Sequence, residues 1–349
     1  MVIESFARYC RNMTESERAT LAQIAEEAGV SLATISKVLN GRTDVAASTR
    51  QRVEDLLARH RYRRRGGGRS HAPLIELVFH ELHSGWSMEI IRGVQEVAEE
   101  YGLGVVLTKS GTRHSPGPEW IDGVIRRRPM AVLLVFSEVP PAMRETLTAR
   151  STPFVVMDPA GDPEPDVPAV GSANWAGGLA AVRHLIGLGH ERIAVISGPT
   201  DMMCSHARID GYRAAMAAAQ LPVRDEWVVY GDFHSEGGAE WARRLLDLDE
   251  PPTAIFAGSD LQALGVYDAA RERGLRIPAD LSVVGYDDIP LAQWVSPRMT
   301  TINQPLAEMG RQSVRIAVGM ARGEITDTRR MDLATRLVVR ESTAPPAGS

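Results

Sequence analysis

Apolar positions set the first helices. In Thr20–Asn40, TLAQIAEEAGVSLATISKVLN, residues Leu21, Ile24, Ala25 and Ala28 recur at i, i+3, i+4 and i+7, one apolar face of a short helix. Thr20 as N-cap with Gln23 at the third helical position forms a capping box. Gly29 supplies the left-handed residue that closes the helix. Ser31 caps the next one, whose inner face is Ile35, Val38 and Leu39. Two short helices around a glycine turn predict a helix-turn-helix. The outer face of the second holds Leu32, Ala33, Ser36, Lys37 and Asn40, short or donor-bearing side chains suited to the floor of a major groove. A plain helical hairpin with a solvated face has the same pattern. A third helix is expected after Gly41, with Val53, Leu56 and Leu57 inward, Arg50, Arg52 and Arg59 outward, and Ser48 with Gln51 as its capping box.

From Leu74 onward the rhythm changes. Leu74–Phe79, Val105–Leu107, Ala131–Phe136 and Phe154–Met157 are short apolar runs separated by amphipathic stretches, and Arg192–Ile196, Val228–Tyr230, Ala254–Phe256 and Leu281–Val284 repeat the theme. Such alternation predicts parallel sheets with helices on both faces, here an α/β body of two lobes beginning near Pro73 and Asn174. In sheets of this kind ligands bind at the carboxyl ends of the strands. There the sequence places Asp158, Ser197, Ser259-Asp260 and Asp287, with Arg208 in the helical stretch SHARIDGYRAA, Phe233 just past Gly231, and Trp86 after the first strand. Carboxylates accept hydroxyl hydrogens, arginine donates two parallel bonds, and aromatic faces cover the C–H side of a sugar ring. Taken singly, Asp158 and Asp287 also suit turn caps, Phe233 and Trp86 suit core positions, and Arg208 suits a solvated helix; convergence at the strand ends favours a site.

Composition narrows the class. The 349 residues, 44% hydrophobic, can fill two or three domains. No run of eighteen apolar residues offers a membrane span, and residues 1–19 lack the apolar segment of a signal peptide, so they read as a loose leader. Cys10 and Cys204 are far apart, which suits a reducing cytoplasm and no disulfide framework. The net charge of −5 hides an asymmetry: residues 1–70 carry 13 basic and 8 acidic side chains, net +5, and the remainder is net −10. A basic head on an acidic body concentrates phosphate attraction at one end. Only Lys37 and Lys109 are lysines among the basic residues. The sequence has no phosphate loop with Lys, no Gly-x-Ser-x-Gly elbow and no His-Glu-x-x-His, so no enzyme and no cofactor are expected. His80 and His83 flank Glu81, an arrangement read as pocket rim and not as a metal site; His184 and His190 read as structural.

Between head and body lies Tyr62-Arg63-Arg64-Arg65-Gly66-Gly67-Gly68-Arg69-Ser70-His71. Three consecutive glycines cost roughly 1 kcal/mol each in a helix. Arg63, Arg64, Arg65 and Arg69 either enter a narrow minor groove as an extended arm or tether the head with loose phosphate contacts.

AGVSLATISKVLNG, followed by Thr49-Arg50 and Val53, resembles the opening domain of the LacI/GalR repressors, and the similarity extends to about Ser342 through GHERIAVISGP, SHARIDGYRAA, AIFAGSDLQALGV and VVGYDDI with MTTINQPLAEMG. The resemblance implies that Leu32, Ala33 and Lys37 read bases, that Ser31, Thr34, Asn40 and Thr49 hold phosphate or the helix pair, and that Thr20, Leu21 and Ser36 belong to the same surface. It further implies effector contacts by Asp158, Arg208, Phe233 and Asp287, with Trp86, Ser259 and Asp260 in the same site. Departures are Ala46 for the usual Ser cap, Ser259 for Asn, Val295 where some members have an aromatic, and the glycines in place of a hinge helix with its wedging leucine. The implied arrangement is a leader (1–19), a helix-turn-helix head (20–62), an Arg/Gly linker (63–72), a two-lobed effector and dimerisation body resembling periplasmic binding proteins (73–342), and a disordered tail (343–349). The implied activity is that of a cytoplasmic homodimer repressing a carbohydrate operon by binding double-stranded operator DNA, released by a small sugar. The stretches LVFHELHSGWSMEIIRGVQEVAEEYGL and FVVMDPAGDPEPDVPAVG are similar to regulators of xylose or xylo-oligosaccharides. A transporter's sugar-binding protein shares the two-lobed body, and an activator shares every domain.

Overall fold

The computed structural model describes residues 21–39, 45–60, 71–82, 85–111, 118–135, 139–324 and 330–347. The chain divides into a head, residues 1–70, and a body, residues 71–349.

The head contains α1 (Leu21–Ala28), α2 (Leu32–Leu39) and α3 (Ala47–Arg59). Ile24, Ala25 and Ala28 of α1, Ile35 and Val38 of α2, and Val53 and Leu56 of α3 form one buried core, the faces that the periodicity requires. Gly29 ends α1 at φ 64°, and the Val30 N–H reaches back to the Ala25 carbonyl at 3.0 Å. Ser31 Oγ accepts the Thr34 N–H at 3.2 Å, the expected cap of α2. The start of α3 differs from expectation. The Arg50 N–H bonds the Ala46 carbonyl at 2.9 Å, so the helix begins at Ala47 and Ser48 lies within its first turn. Gln51, free of capping duty, donates instead to Asp55 along the helix at 3.0 Å. Thr20 and Asn40 lie outside the described residues, as does the linker from Arg61 to Ser70.

In the body, the first lobe is a six-stranded sheet in the order β11-β5-β4-β3-β1-β2. Its strands are β1 (Ala72–Phe79), β2 (Gly104–Lys109), β3 (Pro129–Val135), β4 (Phe154–Met157), β5 (Ala169–Ser172) and β11 (Arg330–Leu333), all paired in parallel. Helices α4 (Gly85–Glu100), α5 (Pro118–Arg127), α6 (Pro141–Ala149) and α12 (Leu306–Ala321) cover its two faces. The second lobe has the order β12-β10-β9-β8-β6-β7, with β6 (Ile193–Ser197), β7 (Val228–Tyr230), β8 (Ala254–Ala257), β9 (Ser282–Asp287), β10 (Thr300–Asn303) and β12 (Arg336–Val338). Only the β10–β12 pair is antiparallel among these. Its faces are covered by α7 (Asn174–Gly187), α8 (Met203–Ala218), α9 (Ser235–Leu246) and α10 (Asp260–Glu272), and α11 (Leu291–Trp294) follows β9.

Strands such as β3 are buried along almost their whole length, because helices cover both faces of the sheet. Each fully buried Leu, Ile or Val contributes about 1.5–3 kcal/mol of transfer free energy. The second lobe does begin at Asn174, but the lobes are not consecutive in sequence. After β10 the chain returns to the first lobe for α12 and β11, then crosses again to β12. Three crossings join the lobes, at Ser172–Asn174, Asn303–Leu306 and Leu333–Arg336.

The end of the chain also departs from expectation. The arrangement implied by the resemblance has a disordered tail at 343–349, yet Thr343 and Ala344 are held in place. His184 Nε2 lies 2.9 Å from Thr343 Oγ1, and the Ala344 N–H donates to Ser282 Oγ at 3.0 Å. The His190 ring bridges Thr253, Ser282 and the Ala344 carbonyl, so two histidines read as structural act as partners for this segment. Burial holds the pKa of both below the usual histidine range, which keeps them neutral at pH 7.

Candidate functional site

The carboxyl ends of both sheets converge on a cavity of about 790 Å³, counting the space at its open mouth. Phe79, His80, Glu81, Trp86 and Ser87 line it from the first lobe. Pro199, Met202, Arg208, Asp232, Phe233, His234, Ser259, Leu261, Asp287 and Ile289 line it from the second. Five of the seven residues expected at the site are therefore brought together: Trp86, Arg208, Phe233, Ser259 and Asp287.

Strained backbone concentrates here. Among the described residues seven non-glycine residues have positive φ, and Asp158 (47°), Phe233 (70°), Asp287 (112°) and Asp288 (60°) are four of them. Such conformations persist where surrounding contacts impose them, and they cluster at ligand sites. For Phe233 the imposing contact is visible. Its ring lies so close over Gly198 that a Cβ there would meet the ring at 1.9 Å. Glycine after β6 lets the aromatic face lie flat against the strand end.

Arg208 projects from α8 and is 3% exposed. Its Nε donates to Asn174 Oδ1 at 2.9 Å and its terminal nitrogen to the Gly258 carbonyl. The guanidinium carbon sits 3.7 Å from the Tyr286 ring centroid and 5.3 Å from that of Phe233. Fixed by these contacts, the cation faces two buried carboxylates. Burial raises Asp287 well above the usual carboxylate range, with Arg208 pulling against it and Asp260 adding to it. Burial likewise raises Asp158, again opposed by Arg208.

Two expected contacts are not on the wall. Asp158 is buried behind it, with its carboxylate accepting from Gln304 Nε2 at 3.2 Å. Gln304, at the second crossing, was not anticipated. It also donates to Ser172 Oγ at 3.0 Å and accepts from Trp86 Nε1 at 3.3 Å, so it fixes one aromatic wall of the cavity. Asp260 is fully buried, and its oxygens accept from Thr301 Oγ1 at 2.6 Å and the Ile289 N–H at 2.9 Å. Both carboxylates accept from protein donors behind the wall. Ser259 does reach the wall, but its hydroxyl accepts the Gln262 N–H at 3.0 Å and donates to the Phe233 carbonyl at 2.9 Å, capping α10.

Sequence reasoning missed Asp232 and His234 and left His80 and Glu81 at the rim. The His234 imidazole lies 3.3 Å from Glu81 Oε1, a contact that spans the two lobes at the cavity, and His80 lies 3.4 Å from the same oxygen. The available signal was Asp-Phe-His one residue past the short strand β7. Among the described residues no group of three or more His, Cys, Asp or Glu side chains is arranged to hold a metal.

Residues 20–65 match the sequence profile of bacterial regulatory proteins of the lacI family, and residues 182–343 match that of a periplasmic binding protein-like domain. The transcriptional regulator CelR of Thermobifida fusca is 35% identical over 343 residues, covering 95% of this chain and 100% of that protein. The chain belongs to the LacI family. It is a DNA-binding transcriptional regulator, a class without enzymatic activity. Among solved structures, a transcriptional regulator CelR–cellobiose complex is similar at a TM-score of 0.71 and 35% identity, covering 93% of this chain and 100% of that one. The lac repressor dimer bound to operator and the anti-inducer ONPF is similar at 0.68 and 26% identity, covering 94% and 100%. The mostly parallel two-lobed body and the helix-turn-helix head are the LacI-family architecture.

On the head, Leu32 (54% exposed), Ala33 and Lys37 share the exposed face of α2 with Ser31, while Thr34 is partly buried against it. Thr49 is partly buried on α3, and Leu21 and Ser36 contribute backbone to α1 and α2. Thr20, Asn40, Arg63, Arg64, Arg65 and Arg69 fall outside the described residues. Among the described residues no helix is long and apolar enough to cross a membrane.

Proposed function

We propose that this regulator is a cytoplasmic homodimeric repressor of a carbohydrate-utilisation operon, released from its operator when a small neutral sugar fills the inter-lobe cavity. The observation that carries the reading is the pairing of two aromatic walls, Trp86 and Phe233, with the hydroxyl-accepting carboxylate of Asp287 in one cavity. Aromatic faces cover sugar C–H groups, and a fixed carboxylate accepts hydroxyl hydrogens. Glu81, Asp232 and Asp287 give these walls more carboxylates than guanidinium groups, which favours a neutral, hydroxyl-rich ligand over a phosphorylated or carboxylated one. A β-linked glucose disaccharide, as in the CelR complex, and xylose or a xylo-oligosaccharide both meet this description. Leu32, Ala33 and Lys37 are assigned to base edges, and Ser31, Thr34 and Thr49 to phosphate or the helix pair. Two heads of a dimer then read half-sites about one helical turn apart.

The sugar draws on both lobes and shifts their relative angle; by linkage, the operator must change sugar affinity by the same factor. The reading is tested by fluorescence anisotropy of the protein on its own upstream DNA, at fixed salt, with cellobiose, xylose, xylobiose and other neutral sugars added singly. Release by one sugar at micromolar concentration is expected. Binding that no sugar alters would refute the effector assignment, and a sugar that tightens binding would replace induction with corepression. An activator with the same domains would bind the same DNA and raise transcription from a reporter when present.

A further inference from the structure

We infer that Asp260 is a positioning residue: its buried carboxylate clasps the Asp287–Ile289 loop and so fixes the carboxylate that Asp287 offers to the effector. The inference rests on the cavity being the effector site. Asp260 opens α10 and has no exposure to solvent. One oxygen accepts from Thr301 on β10, the other from the N–H of Ile289, itself a cavity wall two residues beyond Asp287.

The loop needs such a hold. Asp287 and Asp288 are consecutive residues at φ 112° and 60°, a path that L side chains rarely take. Asp288 is pinned from the other side by Arg340 and by Asn303 Nδ2 at 3.1 Å. Gly285 makes room for the arrangement, since a Cβ there would lie 2.4 Å from Asp260 Oδ1 and 2.6 Å from Met299 Sδ. A carboxyl side chain kept from solvent with both oxygens bonded to the neighbouring strand and loop acts through geometry, not through contact with ligand.

The test compares wild type with Asp260→Ala, Asp260→Asn and Asp287→Asn in the full chain. The readouts are calorimetric titration with cellobiose, xylose and xylobiose, and hydrogen exchange of the peptide containing Ile289. Asparagine keeps an acceptor for the Ile289 N–H and can donate to the Thr301 hydroxyl; alanine keeps neither. Expected is a tenfold or greater loss of sugar affinity in Asp260→Ala with faster exchange at Ile289, and recovery to within about threefold of wild type in Asp260→Asn. Should Asp260→Ala not fold, Thr301→Val, which removes one of the two bonds, is expected to show an intermediate loss. Unchanged Ile289 exchange in Asp260→Ala, or loss of affinity equal in Asp260→Asn and Asp260→Ala, overturns the inference. If Asp287→Asn binds sugar as wild type does, the site assignment fails instead, whatever Asp260 does.

Discussion

Removing the cation from the site floor should destabilise the body in a pH-dependent way. Arg208→Met preserves much of the side-chain volume but leaves Asn174 Oδ1 and the Gly258 carbonyl without their donor, and it leaves Asp158 and Asp287 without the charge that opposes their desolvation. Each unsatisfied buried acceptor costs about 1–3 kcal/mol, and breaking a buried charge arrangement by deleting one partner costs about 3–5 kcal/mol. The sign of the pH dependence follows from the carboxylates. Their folded-state pKa values already lie above the usual range, and without Arg208 they rise further. A carboxyl group with a raised folded pKa destabilises the fold as pH climbs from its unfolded value toward its folded one. The mutational loss should therefore be greater at pH 8 than at pH 5, where protonation in the folded state removes most of the electrostatic part. For a body of this size about 4 kcal/mol corresponds to a drop in Tm on the order of 10 °C. Thermal unfolding followed by tryptophan fluorescence at both pH values measures it. An equal loss at pH 5 and pH 8 would refute the electrostatic account and leave packing alone.

Other consequences are more local. Lys37→Ala should weaken operator binding and relax discrimination at one base position, by about 1–3 kcal/mol in a competition assay, without changing sugar affinity. Replacing Arg63, Arg64, Arg65 and Arg69 together by alanine should flatten the salt dependence of operator affinity, by about 0.9 in log–log slope for each lost phosphate contact; an unchanged slope would make the segment a tether only. Gly198→Ala should push the Phe233 ring off the cavity wall, lowering sugar affinity at least tenfold in calorimetry with little change in Tm, because the ring can swing aside.

How much was legible in the sequence depends on how apolar each element is. Phe154–Met157 and Val228–Tyr230 were read at their observed bounds because uninterrupted apolar runs between polar stretches admit few alternatives. Thr300–Asn303 and Ala169–Ser172 were missed because their burial is of another kind. Thr300 and Thr301 have no exposure yet are polar, their hydroxyls bonded to Asp260 and to the Arg340 N–H, and no periodicity distinguishes such a strand from a loop. The return of α12 and β11 to the first lobe was invisible for a different reason: alternation of strand and helix reports neighbours in sequence, not which sheet a strand joins. At the site, the strand-end rule gathered three carboxylates, and the direction of each depended on partners far away in sequence. Asp287 faces the cavity; Asp260 is captured by Thr301 and Ile289, and Asp158 by Gln304, 146 positions away. Asp232 and His234 flank Phe233 just past Val228–Tyr230, and the alternation of strand and helix does not show which of three neighbouring side chains turn toward the cavity.

The most direct test of the account is Phe233→Ala on operator DNA. The substitution lies in the body and removes one aromatic wall, so operator affinity in anisotropy should match wild type, while the sugar that releases wild type should need at least tenfold more to release the variant. Equal release of both proteins at the same sugar concentration would contradict the claim that the inter-lobe cavity is where the effector acts.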